Sequence, residues 1–315
     1  LTEDLITDIS KVSGVRVIAR NSTFSYKGQS PDVRTVGKDL GATHIIEGSV
    51  RKAGGTVRIT VQLINAGDGS HIWAERYDRE LKDIFAVQDE VVGQIIAMLS
   101  VKLTPEEETR IARHETENLE AYDLLMRGRQ QESFFNKAAY VEAREFYQRA
   151  IALDPNYAEA YAYLSVVHDL SARLGWADNG NQAYDESLRL AEKAVALDPS
   201  LPLAHFALGR ILARPKFAEY GRAIKEFKAS IRLDPSYADG YANLALVSIF
   251  TGFADRARDY IETAMRVNPH FPFWYLFARA QARHFQGDYT GAVEDLSAAV
   301  ERNPTVVFVR YWLAA

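Results

Sequence analysis

The stretch AIKEFKASIRLDPSYADGYANLA, residues 223–245, decides the fold. Ala223, Phe227, Ser230 and Ile231 stand three and four residues apart, so they share one stripe of a helix, and that stripe must be buried. Pro235 stops the helix. Because Pro is tolerated in a first helical turn but not inside a helix, it marks the start of the next one, whose apolar face carries Tyr241, Leu244 and Ala245. The unit is therefore a pair of antiparallel helices.

The same step recurs as Asp154-Pro155, Asp198-Pro199, Asp234-Pro235, Asn268-Pro269 and Asn303-Pro304, at spacings of 44, 36, 34 and 35 residues. A period near ~34 built from helical text predicts a tetratricopeptide array, and no catalytic residue explains that rhythm. Residues 119–315 resemble tetratricopeptide repeats in detail. The family pairs a small residue with a bulky one before the Pro, and the sequence supplies Ala143 with Tyr147, Ala223 with Phe227, Ala257 with Ile261 and Ala292 with Leu296. The second repeat has Ser187 and Ala191 instead, which predicts looser helix packing there. Arg279 stands where the family has a small residue at the close helix contact. Ten extra residues in the second repeat fall around the turn-forming run 175–181 and lengthen its inter-helix loop. Trp176 on that loop is a candidate partner contact; the plainer reading is that it folds back on its own repeat.

Before the repeats the periodicity is different. Thr2, Glu3 and Asp4 open a helix with Leu5, Ile6, Ile9 and Val12 as its buried stripe, and Gly14 ends it. Residues 15–19 predict a short apolar strand, 21–30 a loop, and 32–40 a helix introduced by Pro31 and closed by Gly41. From His44 the period becomes two: Ile46, Gly48 and Val50 alternate with polar residues, and Gly54-Gly55 turns the chain into Val57, Ile59, Val61 and Leu63. A turn at residues 67–69 leads to a third strand with His71, Trp73, Glu75 and Tyr77 on one face. A helix over 83–103 follows, with Ile84, Val87, Val91, Ile95 and Leu99 at helical spacing, then an acidic helical connector over 106–117 opened by Thr104-Pro105.

The fold class expected is α+β: a small α+β sheet domain over residues 1–104, a connector over 105–118, and an all-α superhelix of about five helix pairs plus a truncated last helix over 119–315. The phrases VIARNSTFSYKG, LGATHIIEGSVRK, RITVQLINAGDGSHIWAERYDRE and DIFAVQDEV resemble a domain of bacterial signalling proteins related to the amino-terminal domain of TolB, the Tol-system propeller protein. The resemblance implies a position between an upstream effector and downstream tetratricopeptide repeats. That effector is a class III adenylate or guanylate cyclase in many such proteins and a winged-helix DNA-binding domain in others. A chain starting at Leu1 and ending on the nearly all-apolar Val306, Val307, Phe308, Val309, Tyr311, Trp312 and Leu313 reads as a piece of a larger protein, with a first strand expected upstream and a cap expected downstream.

Composition narrows the function classes. With 47% apolar and 25% charged residues the chain is ordinary globular protein. Residues 1–104 hold 13 Lys and Arg against 13 Asp and Glu, the remainder 24 against 29, so the whole net charge of -5 sits in the helical part. Neither part is basic, which disfavours nucleic-acid binding. There is no Cys, no apolar run long enough to span a membrane, and no phosphate-loop, dinucleotide or nucleophile-elbow motif. The seven His, at 44, 71, 114, 168, 205, 270 and 284, show no metal-ligand spacing, so neither a metal nor a cofactor is expected. No residue set is fit to hold the two metal ions of a cyclase, so this chain is expected to be non-catalytic.

What remains is a groove. The tetratricopeptide register puts Arg129, Phe206, Arg210, Asn243, Leu246, Phe273, Phe277, Arg283, His284 and Tyr311 on the face of the first helices, a mixed aromatic and Arg lining suited to a protein or peptide partner. The Lys and Asn set with which the family's chaperone-binding members hold a C-terminal carboxylate is absent. For residues 271–277, packing against neighbouring helices is an equal alternative to a ligand role. The expected function is a regulatory and protein-interaction region of a bacterial cytoplasmic signalling protein, with partner binding, self-association or coupling to an upstream effector as its modes. The alternatives are the same region on a winged-helix regulator, or a small-molecule site in the α+β part shaped by Trp73.

Overall fold

The computed structural model describes residues 2–29, 31–80, 83–111, 115–304 and 307–314, the side chains of Val307 and Phe308 excepted. The chain divides into two compact units: Leu1–His114 with Met265–Pro272, and Glu115–Ala264 with Phe273–Ala315.

The first unit runs α1 (Thr2–Ser10), α2 (Arg20–Phe24), α3 (Val33–Leu40), β1 (His44–Ala53), β2 (Thr56–Asn65), β3 (His71–Glu80), α4 (Ile84–Met98) and α5 (Pro105–Ile111). The three strands form one antiparallel sheet in the order β1-β2-β3, with a register shift at Leu63/Ile64. Val57, Ile59, Val61 and Leu63 of the central strand are all buried, as their alternation requires, together with Tyr77 of β3, Val87, Val91 and Ile95 of α4, and Leu5 and Ile9 of α1. α4 packs on β2 and β3. On β1, Ile46 and Val50 lie opposite Leu63 and Ile59 on the same face, yet remain 37% and 50% exposed.

Four expectations for this unit need correction. Residues 15–19 are not a strand: among the described residues the sheet has three strands, and this segment instead inserts Val15 and Val17 into the main core and Ile18 beside Val36 and Leu40. Apolar text was satisfied by packing without a ladder. The loop over 21–30 contains the short helix α2, and Ser30 lies outside the described residues. The long helix stops at Met98 rather than 103, because Ser100 takes a left-handed conformation (φ 55°) that lets Val101 turn back onto Gly14. The connector is helical over Pro105–Ile111 and not over 115–117, and residues 112–114, His114 among them, lie outside the described residues.

Glu107 fixes that connector. Its Oε2 accepts from Thr104 N at 2.8 Å, its own N donates to Thr104 Oγ1 at 3.2 Å, and its Oε1 accepts from Ser13 N at 2.7 Å. The backbone donors of Thr104 and Ser13 hold its carboxyl down to about 2. A carboxyl lowered on folding contributes stability that is complete above its unfolded-state pKa and lost as pH falls through the folded value. Glu107→Gln is therefore expected to cost about 1–2 kcal/mol at neutral pH. In urea titrations of the chain, the gap to wild type should narrow between pH 5 and about 2; a gap independent of pH would refute this role.

Among the described residues the second unit is built on five helix pairs: α6 (Leu119–Glu132) with α7 (Lys137–Leu153), α8 (Ala158–Arg173) with α9 (Gly180–Leu197), α10 (Pro202–Leu212) with α11 (Tyr220–Leu233), α12 (Ala238–Phe250) with α13 (Ala254–Val267, whose last three residues group with the first unit), and α14 (Phe273–Phe285) with α15 (Tyr289–Arg302). A single helix, α16 (Val307–Ala314), follows. The Pro of each early step sits in the turn, and the next helix begins three residues later, at Ala158, Pro202 and Ala238. The acid before it makes the turn: the Oδ1 atoms of Asp154, Asp198 and Asp234 accept from the N–H two residues on, at 3.0, 2.8 and 2.7 Å.

The bulky second-helix residues Tyr147, Phe227, Ile261 and Leu296 are buried, with exposures of 0 to 4%. In two repeats the facing residue is Gly. A Cβ on Gly128 would come within 2.4 Å of the Tyr147 ring, and one on Gly209 within 2.8 Å of Phe227. The second repeat is not loose. Ser165 Oγ donates to Ser187 O at 2.8 Å and Ser187 Oγ to Ser165 O at 2.9 Å, so two small residues bring both backbones within reach of reciprocal bonds. Arg279 is accommodated by a two-point pairing with buried Asp295, at 2.9 and 2.5 Å. Trp176 packs edge-on against Tyr140 and Phe135 of the preceding repeat, at 5.0 and 5.7 Å, while its backbone N donates to Ser171 O of its own repeat at 2.8 Å.

Candidate peptide-binding face

The first helices of the pairs neighbour one another along the stack, α8 against α10 and α12 against α14. Their side chains fall into three groups. The first group is tied into the fold. Arg210 Nη2 reaches Asp169 Oδ2 at 2.7 Å, and Arg283 Nη1 reaches Asp295 Oδ2 at 3.2 Å and Gly291 O at 2.9 Å. Phe206 is buried, edge-on to Tyr237 at 5.0 Å, with the Arg210 guanidinium 5.5 Å over its ring. Arg129 stacks 4.9 Å over Tyr163 and lies 3.9 Å from Glu159.

The second group is half-buried: Asn243, whose Nδ2 donates to Asp239 O of its own helix at 2.9 Å, with Leu246, Phe273 and Phe277. Phe277 meets Trp312 edge-on at 6.0 Å. The third is open. His284 is exposed, with its ring against Phe285, Tyr289 and Trp312 at 5.4 to 5.7 Å, and Tyr311 is 72% exposed. Val306 of the expected apolar last helix lies outside the described residues, and Val309 is buried.

Sequence reasoning missed the acid at the centre of this face. Asp169 of α8, 1% exposed, accepts from Arg214 Nε and Nη2 at 2.5 and 2.7 Å as well as from Arg210. Burial raises its carboxyl, but the Arg210 and Arg214 charges outweigh that and hold it below its ordinary value. Asp239 of α12 behaves oppositely: burial raises it, against a hydrogen bond from Tyr275 Oη at 2.7 Å and the Arg210 charge. The only sequence signal for Asp169 was a charge inside the apolar run Val166, Val167, Leu170.

A cleft of about 530 Å³ opens where the inserted loop meets α7, α8 and α9, lined by Tyr140, Arg144, His168, Trp176, Glu186 and Arg189 among others. Burial first, then Arg144 and Arg189, lowers the His168 imidazole, against a pull from Glu186. Among the described residues no group of three or more His, Asp or Glu is placed to hold a metal ion, and no helix is long and apolar enough to cross a membrane.

The tetratricopeptide-repeat family profile matches residues 243–307. A protein of Rhizobium meliloti (strain 1021) named "Putative adenylate cyclase 3" is 46% identical over 213 residues, 68% of this chain and 36% of that protein. "Protein bimA" of Emericella nidulans is 25% identical over 164 residues, 44% of this chain and 20% of its own length. The chain thus spans about a third and a fifth of these relatives. Among solved structures, a thermophilic TPR protein of Thermus thermophilus aligns with TM-score 0.48 at 20% identity, covering 62% of this chain and 97% of that one. YrrB, described as a TPR protein with an unusual peptide-binding site, aligns with TM-score 0.41 at 16% identity, over 67% and 99%. Residues 243–307 carry tetratricopeptide repeats, and a small three-stranded antiparallel sheet precedes the helix pairs.

Proposed function

We propose that this chain is the regulatory, partner-binding part of a larger bacterial signalling protein whose effector is a class III nucleotide cyclase. The observation that carries the reading is the row of first helices, which leaves Leu246, Phe273 and Phe277 half-buried and Tyr311 exposed while its charged neighbours are held by structural acids. Aromatic and Arg side chains along stacked helices are what peptide and domain partners anchor to. The 46% identical relative named as an adenylate cyclase supports the effector class. In this reading the α+β unit, similar to the TolB amino-terminal domain, couples the repeats to the effector, and the groove holds a partner segment or a second copy.

The test is turnover of ATP or GTP to the cyclic nucleotide by the full-length parent, with and without residues 119–315. Deletion of the repeats should change turnover. Alanine at Leu246, Phe277 and Tyr311 together should reproduce that change in a chain that stays folded, with only a modest fall in melting temperature, because Leu246 and Phe277 are no more than half-buried and Tyr311 is exposed. No turnover from folded parent would reject the cyclase assignment, and turnover indifferent to both changes would reject the regulatory one. Arg210 and Arg283 are unsuitable probes, since removing either takes one of the cations from a buried carboxylate and so perturbs the fold.

A further inference from the structure

We infer that Arg173, Arg210 and Arg214, gathered around Asp169 where α8 meets α10, form an anion-recognition site for an acidic side chain of a bound peptide. The inference rests on the groove reading and names the chemistry of its occupant.

Charge does not close at this spot. Asp169 accepts from Arg210 and Arg214, which satisfies one negative charge with two guanidinium groups. Arg173 makes no hydrogen bond or ion pair among the described residues and is exposed. The protein around it, then Arg210 and Arg214, lower its guanidinium to about 10, so a third cation is held against its neighbours' repulsion. The Arg210 Nε is buried and meets no acceptor among the described residues. Of the other acids that act on this cluster, Asp239 is buried and shared with Tyr275. Besides these acids, the Tyr184 side chain acts on Arg173 and Arg214. An arriving carboxylate therefore meets surplus positive charge already desolvated on one side, and planar guanidinium groups pair with carboxylates at two points.

The surroundings fit a peptide rather than a lone ion. Arg210 lies over the Phe206 ring, Phe206 is edge-on to Tyr237, and the row continues along α12 through Asn243 and Leu246. Apolar side chains flanking the acid would thus find aromatic and aliphatic surface on the same face.

The test uses the full chain and three fluorescein-labelled peptides of equal length, acetylated and amidated so that no terminal carboxylate takes part. They alternate Leu with Glu, Gln or phosphoserine. Fluorescence anisotropy should show the Glu peptide binding roughly tenfold tighter than the Gln peptide, a preference that shrinks with added NaCl. Arg173→Gln should abolish the preference without moving the melting temperature, because Arg173 holds nothing in the fold. Equal binding of the Glu and Gln peptides overturns the acidic site and leaves the groove reading intact. The same holds if neither binds while deletion of the repeats still alters turnover of the parent. A tenfold excess for phosphoserine over Glu, lost in Arg173→Gln, overturns the carboxylate in favour of a phosphoryl ligand.

Discussion

Asp169→Ala is expected to destabilise the repeat unit by about 3–5 kcal/mol, the largest effect of any single exchange on the first-helix face. The carboxylate is buried and receives three guanidinium hydrogen bonds, from Arg210 and twice from Arg214. Without it Arg173, Arg210 and Arg214 face one another with no carboxylate paired to them, in a setting that already depresses Arg173. The loss should depend on pH. Asp169 is held below its ordinary value on folding, so its contribution is complete above the unfolded carboxylate range and fades as pH falls through it toward the folded value. Urea denaturation of wild type and Asp169→Ala at pH 7 and at pH 3 checks both points. A wild-type-like midpoint at pH 7 would mean that the three arginines separate into solvent and that the ion pairs contribute little.

Phe227→Ala is the second large effect, about 3–5 kcal/mol, because the ring is fully buried between α10 and α11. Its partner supplies an internal control. Gly209→Ala places a methyl within 2.8 Å of that ring and should cost about 1–3 kcal/mol in wild type, despite the better helix propensity of Ala. In the Phe227→Ala background the clash is gone, so the same change should be neutral or stabilising. A double-mutant cycle measured by thermal unfolding reads that coupling directly. Additive costs would show that the helix pair relaxes and that the glycine is not needed for its approach.

The helix pairs were legible because their signals are local. A stripe repeating every three to four residues, and an Asp whose carboxylate accepts the N–H two residues on, act within one turn of chain. The central strand was legible for the same reason, since alternation over Val57, Ile59, Val61 and Leu63 needs only the pleat. The apolar run at 15–19 read as a strand because apolar text also suits a buried extended segment, and whether a ladder forms depends on a partner elsewhere. Likewise Ser187 looked like a weak substitute for Ala until Ser165, in the facing helix, turned both hydroxyls toward opposite carbonyls.

The candidate face divides along the same line. Register alone puts Arg210, Arg283, Leu246 and Tyr311 on the first helices, because helical position is a matter of counting. Counting does not say which arginines are committed. Arg210 and Arg214 stand 41 and 45 residues from Asp169, and only the stacking of α8 on α10 brings them to one carboxylate while leaving Arg173 beside them without one. The sequence by itself determined a two-part chain of paired helices behind an antiparallel sheet, since periodicity and turn chemistry act over a few residues. The tertiary structure alone decided which side chains hold the fold and which face outward, because burial and charge pairing depend on neighbours that the chain order keeps far apart.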